Sequence, residues 1–165
     1  MLCLSVMFPF MIHIIPVPED SQLGQRLLPI FYAPLLAALL RRPGTAAAVA
    51  LVAPWLNWAL TSHPAPVGAI VLTIELLVFV LAMRVLLSRA GAAWYLAAPA
   101  YLLAKAAAAA AAAAFPALIG GHEPLAWAVQ CVATGLPGIA ILVLINWLVP
   151  RLYPPGAAGG GPRLA

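Results

Sequence analysis

The sequence predicts an all-α, polytopic membrane protein: a bundle of six transmembrane helices with both termini on the cytoplasmic side. Three observations point there. Of 165 residues, 65% are hydrophobic and only 7% are charged, which is more apolar surface than a soluble core of this size can hide. The apolar residues come in long runs without strand-like alternation. Hydrocarbon offers the backbone no hydrogen bonds, so such runs select helices over a barrel. Finally, the basic residues gather in alternate connections, as loops retained on the cytoplasmic side do.

Breaks at Pro, Gly and charge divide the chain into apolar runs at residues 2–16, 27–40, 45–61, 68–87, 92–118 and 125–149. These six candidate spans form one membrane domain over residues 1–153. The first two are short for the ~20 residues a span needs, and they carry Pro9, Pro29 and Pro34. The first has no basic leader and no small-residue cleavage site, so it reads as a span rather than a removable signal. Arg41 and Arg42 join spans two and three, Arg89 joins four and five, and Arg151 and Arg163 follow span six. The loops at residues 62–67 and 120–124 hold no base, and Arg26 is the exception in the first outer loop. With that topology His13, His63 and His122, together with Glu19, Asp20 and Glu123, fall on the outer side. Span five carries nine consecutive alanines after Lys105; small residues let membrane helices approach closely, although a bias of composition toward Ala explains the run equally well. Residues 154–165 are Pro, Gly and Ala without periodicity and read as a disordered cytoplasmic tail.

Several function classes are excluded at this level. The net charge of +4 is spread singly or in one pair, with no basic stripe for nucleic-acid phosphates. No Gly-rich phosphate loop, zinc-protease motif, paired-cysteine motif or nucleophile elbow occurs, so no catalytic residues, no enzyme activity and no cofactor are expected. Cys3 and Cys131 sit inside apolar runs as packing residues. The three histidines match no metal-ligand spacing, and a metal site is not expected.

Glu75 and Lys105 demand an explanation, because each lies inside an apolar span where a charge costs at least ~2.5–3.5 kcal/mol. Their depths differ by roughly 7 Å at 1.5 Å per residue, a gap a lysine stem can cross. They are expected either to pair or to face an outward-opening polar cavity and touch a ligand; a buried ion pair that only fixes helix register is the plainer alternative. His63, Asn57, Gln130 and Thr134 are further candidates for a substrate pocket. Gln130 and Thr134 are four apart on one helical face at the outer end of span six, while hydrogen bonding between helices is the ordinary use of Asn57, Gln130, Thr134 and Asn146. Trp55, Trp58 and Trp127 suit interfacial anchoring, or stacking on an aromatic ligand.

The segment HIIPVPEDSQLGQRLLPIFYAPLLAALL, followed by PGTAAAVALVAPWLNWALTSHPAPVGAIVLTIELLVF, resembles the substrate-binding S component of energy-coupling factor (ECF) transporters. The match rests on Gly44 entering span three, Pro54 near its centre, the loop from Leu60 to Pro64, Glu75 with Leu76 in span four, Tyr101 to Lys105 in span five, and the GLPG turn from Gly135 to Gly138. The order and spacing of these features cover nearly the whole chain. The resemblance implies a six-helix subunit of the inner (plasma) membrane that captures a vitamin or related micronutrient from the outer side, under the loops between spans one and two and between three and four. It implies as partners an ECF coupling membrane subunit and two ATPase subunits, with the whole subunit reorienting to release solute inside. One departure is plain: span one of such proteins presents small residues to the coupling subunit, and residues 2–16 carry no such spacing, which leaves that contact missing or upstream of Met1. A second class compatible with six spans is a non-transporting scaffold resembling the MreD-type cell-shape protein, which binds protein partners. Dry packing between spans four, five and six would favour the scaffold, and an outward cavity holding Glu75 and Lys105 would favour solute capture.

Overall fold

A computed structural model describes residues 3, 4, 7–9, 11, 23–40, 42–91 and 93–153. The expectations for most of span one, for His13, Glu19, Asp20, Arg41 and Arg163, and for the tail lie outside the described residues. What is described is all helical, with no strand among the described residues. A short helix α1 (Leu23–Leu27) leads through the turn Pro29–Phe31 into α2 (Tyr32–Leu39). Then come α3 (Pro43–Thr61), α4 (Pro66–Ala90) and α5 (Ala97–Ala114), the turn Pro116–Ile119, and finally α6 (Pro124–Thr134) and α7 (Leu136–Leu152).

Proline sets where these helices start. Pro43, Pro66, Pro124 and Pro137 each occupy the first or second helical position, where the missing N–H costs nothing and the fixed φ is already helical. α3 stops at Ser62, which turns left-handed (φ 58°) while its N–H reaches the Trp58 carbonyl at 2.8 Å. α5 stops at Ala114 and Phe115 leaves the helix, since the residue preceding proline, here Pro116, avoids helical angles.

α3, α4 and α5 have 19, 25 and 18 residues and are apolar enough to cross a membrane. The pair formed by residues 116–134 and 136–152 reaches that length together but bends by 62°. Pro137 explains the break, because it has no N–H for the Ala133 carbonyl and its ring crowds that carbonyl. Span two differs from its predicted extent: it is a turn plus α2, together Pro29–Leu39, shorter than a crossing. The structure therefore has three helices of crossing length, or four with the bent pair counted as one, and they fit a membrane protein. Their outer faces agree, with Leu81, Leu103, Val129 and Leu144 all at least half exposed.

α2 is the axis of the bundle. Phe31, Tyr32, Ala33, Pro34, Leu35, Ala37 and Ala38 are all buried, and the Phe31 ring meets Phe79 of α4 and Tyr101 of α5 edge-on at 5.2 and 5.3 Å. α4 and α5 form the most extensive helix pair. On α5 the buried stripe runs through Ala97, Ala100, Ala104, Ala108 and Ala112, one step of three and then steps of four, a small-residue face that brings the two backbones close. Alanines between those positions, such as Ala106, Ala110 and Ala113, are exposed, so close packing accounts for only part of the alanine run.

Candidate functional site

Glu75 stands on the buried face of α4 and Lys105 on the buried face of α5. Because these helices pack along their lengths, the two side chains meet: Lys105 Nζ donates to Glu75 Oε1 at 2.7 Å. Glu75 is fully buried and Lys105 is 8% exposed. One helical turn before Lys105, Tyr101 turns its ring to the ammonium at 5.7 Å from Nζ to centroid; Trp127, on the first turn of α6, does so at 5.1 Å. The cation is thus held by one carboxylate and two ring faces. Glu75 Oε2 and the fully buried Tyr101 hydroxyl have no hydrogen-bond partner among the described residues.

These groups line a cavity of about 950 Å³, within the size range of small-molecule sites. α1 and the turn after it supply one wall through Gln25, Leu28 and Pro29; α3 and the following loop supply Asn57, His63 and Pro64. α4 adds Val71 and Leu72 beside Glu75, and Trp127 and Cys131 of α6 close the far side. Asn57 is buried, with its Nδ2 donating to the Ala53 carbonyl at 2.9 Å, whereas His63 sits on the exposed rim. Leu28 adopts a left-handed φ of 53°, and the α1 backbone there crosses directly over Gly138 of α7. A Cβ on Gly138 would meet the Leu27 carbonyl carbon at 2.7 Å and the Arg26 oxygen at 2.8 Å, so only glycine permits this wall.

Of the residues singled out from sequence, the structure brings Glu75, Lys105, Asn57 and His63 to one cavity. Gln130 and Thr134 are not among its lining residues: Gln130 is exposed and Thr134 half-buried. The face of α6 turned inward carries Trp127 and Cys131 instead, and Gln130 lies about 100° from Cys131 around the helix. Trp55 and Trp58 pack edge-on against each other at 6.2 Å and stay 39% exposed on the outer face of α3, away from the cavity. Asn146 donates to the Ala93 carbonyl at 2.7 Å, tying α7 to the connection before α5. The sequence reading passed over Tyr101 and Cys131 as pocket residues. Their signal was the i, i+4 relation to Lys105 and to Trp127.

Glu123 caps α6: its Oε1 accepts from the Leu125 N–H at 2.9 Å and its other oxygen from the Ala126 N–H. Those backbone donors hold its carboxyl below the usual carboxylate range. The cap fixes the start of the helix that carries Trp127. Among the described residues no three His, Cys, Asp or Glu side chains converge on a metal position.

A second cavity, of about 450 Å³, lies at the other end of the bundle against Pro43, Arg84, Ser88, Gly91, Pro150 and Tyr153. It brings the connections bearing Arg42, Arg89 and Arg151 to one end, together with Arg84, a charge on α4 that the reading of span interiors had overlooked. The end holding His63 and Gln25 is opposite. Comparison with family models, with curated proteins and with solved structures finds no match to this chain.

Proposed function

We propose that this chain is the substrate-binding S component of an ECF-type transporter, capturing a vitamin-like micronutrient from the outer side of the plasma membrane. One observation carries the reading: a cavity of about 950 Å³ beside a buried Glu75–Lys105 pair, at the end of the bundle opposite the connections bearing Arg42, Arg89 and Arg151. A pair that served only helix register would be sealed in side chains, because a void beside it forfeits packing contacts. A space lined by apolar walls and a few convergent polar groups is what a small solute requires.

In this proposal the arginine end is cytoplasmic, the chain crosses the membrane six times, and both termini are inside. Solute enters past His63 and Gln25; Glu75, Lys105 and Asn57 contact it, and the segment over Gly138 and the loop around Pro64 form the mobile cover. Gln130 and Thr134 serve lipid-facing or interhelical roles. The chain carries no nucleotide motif, so the energy for uptake comes from a coupling membrane subunit with two ATPases. The scaffold alternative draws no support from a void at the place where it needs dry packing.

The test is native mass spectrometry of the protein extracted gently from its own membrane. A discrete non-lipid adduct, absent from a variant with Trp and Leu side chains built into the cavity at Val71 and Cys131, is the expected result. Protein that carries lipid alone, across several mild detergents, refutes solute capture.

A further inference from the structure

The small cavity at the other end of the bundle differs from the large one in lining and in charge. α4 turns one stripe into it, through Val80, Arg84, Leu87, Ser88 and Gly91, a spacing that keeps all five on one face of a helix. Along that stripe the surroundings change from apolar to basic. Val80 and Ala46 of α3, which also lines the cavity, are buried, whereas Arg84, Ser88, Gly91 and Pro43 are exposed. Arg42, Arg89 and Arg151 adjoin the lining residues Pro43, Ser88 and Pro150 in sequence, and all three are exposed. Among the described residues no acid answers this charge: Glu75 is paired with Lys105 and Glu123 caps α6, and neither lines this cavity. The Arg151 guanidinium meets the Trp147 ring at 4.1 Å, which covers the cation but supplies no counter-charge. Retention on one side of a membrane accounts for arginines in connections, but Arg84 is not in one. It stands six residues inside α4, about 9 Å from the helix end, where a charge is expensive unless something answers it.

We propose that this cavity binds the head of an anionic phospholipid from the leaflet it faces, with the phosphate diester accepting from the Arg84 guanidinium and the start of an acyl chain lying toward Val80. A guanidinium and a phosphate match as a two-bond fork, and basic pockets between membrane helices suit such heads. The order of the lining selects a lipid over a free phosphate ion. It is buried and apolar toward the middle of α4 and basic toward the helix end, the same order as the parts of a lipid in a leaflet. About 450 Å³ takes a head and the first carbons, and the remaining chain runs along the exposed Leu81 and Val85 of α4. The site does not depend on the solute-capture reading, because it shares no lining residue with the large cavity.

The test is native mass spectrometry of the full chain in mild detergent, with an equimolar mixture of phosphatidylglycerol and phosphatidylcholine of identical acyl chains. Wild type is expected to retain phosphatidylglycerol first, by about fivefold or more. Arg84→Gln should bring the two lipids close to parity, with Arg84→Lys, which keeps the charge and loses the fork, between them. Ser88→Trp fills the cavity from an exposed position, keeps every arginine, and should also remove the preference. Arg26→Gln, on α1 beside the large cavity, should leave it unchanged. Equal retention of the two lipids by wild type, or a preference that survives either Arg84→Gln or Ser88→Trp, overturns the proposal, and Arg84 then only extends its charge to the membrane surface. An equal loss in Arg26→Gln overturns it as well, in favour of diffuse attraction. Displacement of phosphatidylglycerol by millimolar glycerol 3-phosphate assigns the cavity to a soluble phosphate and the lipid falls. If the lipid binds in the expected pattern while no solute adduct is found, solute capture falls and this site stands.

Discussion

Replacing Lys105 with Met gives the sharpest test of how the buried pair is held. The Met side chain keeps most of the volume and the contact with Trp127, but it strips Glu75 of its only hydrogen-bond donor among the described residues. Glu75 is fully buried, so its carboxylate would face an uncompensated desolvation cost. Breaking such a pair from one side costs about 3–5 kcal/mol. At the scaling for a chain of this size, that is a drop in apparent Tm of roughly 6–20 °C. The double variant Lys105→Met/Glu75→Gln removes both charges and should recover most of the loss, because an isosteric neutral pair has no ion to desolvate. Thermal unfolding followed by Trp fluorescence in one detergent, across wild type, both single variants and the double, closes the cycle. Additive losses, with the double variant as unstable as the sum of the singles, would show that the two charges do not depend on each other and that the 2.7 Å contact carries no coupling.

Three further outcomes follow from other parts of the structure. Gly138→Ala places a methyl 2.7 Å from the Leu27 backbone and should destabilise by about 1–3 kcal/mol through overpacking, while also moving the α1 wall; Gly24→Ala, with nothing within 4 Å of its added methyl, is the neutral control, and matched melting curves separate them. Asn146→Ala leaves the Ala93 carbonyl without its donor and should cost about 1–3 kcal/mol, yet leave the adduct seen by native mass spectrometry unchanged since Asn146 is not among the residues lining the large cavity. Glu123 has its carboxyl lowered by two backbone donors. Its stabilisation is therefore present above the unfolded-state value and is lost as pH falls through the lower folded-state value. The stability gap between wild type and Glu123→Gln should be open at neutral pH and close on acidification, as a pH series of melting curves would read.

How far the sequence could be read depends on whether local chemistry or packing decides each feature. Apolar run length is local, so α3, α4 and α5 were visible, whereas residues 125–149 read as one span and the 62° bend at Pro137 was foreshadowed only by the GLPG turn of the family resemblance. The Glu75–Lys105 pair was also visible, because a charge in an apolar run has so few ways of being compensated. Gln130 and Thr134 show where such reasoning stops. Their spacing places them on one face of a helix, but nothing in that spacing says which face turns inward, and the neighbouring stripe through Trp127 and Cys131 won. The observed rotation of α6 buries Ala128 and brings the Trp127 ring to the Lys105 ammonium, contacts across helices. Tyr101 was hidden for the opposite reason. A tyrosine in an apolar run is usually a core residue, and only the third dimension reveals that its side chain lines the cavity and that its hydroxyl has no hydrogen-bond partner among the described residues.

The two ends of the bundle differ in kind as well as in charge. Arg84 lies nine residues beyond Glu75 on α4, about 13 Å along the axis at 1.5 Å per residue, and its side chain is exposed beside the small cavity. Arg84 is six residues before the end of α4, and an arginine stem is long enough to carry its charge toward a membrane surface from such a position. Glu75, about two turns deeper than Gly68 at the other end, has no such recourse, because a carboxylate on a short stem cannot reach the surface. Lys105 could have reached outward but is turned inward instead, to 2.7 Å from Glu75 and against the Trp127 ring. The inward lysine is what makes the buried acid tolerable.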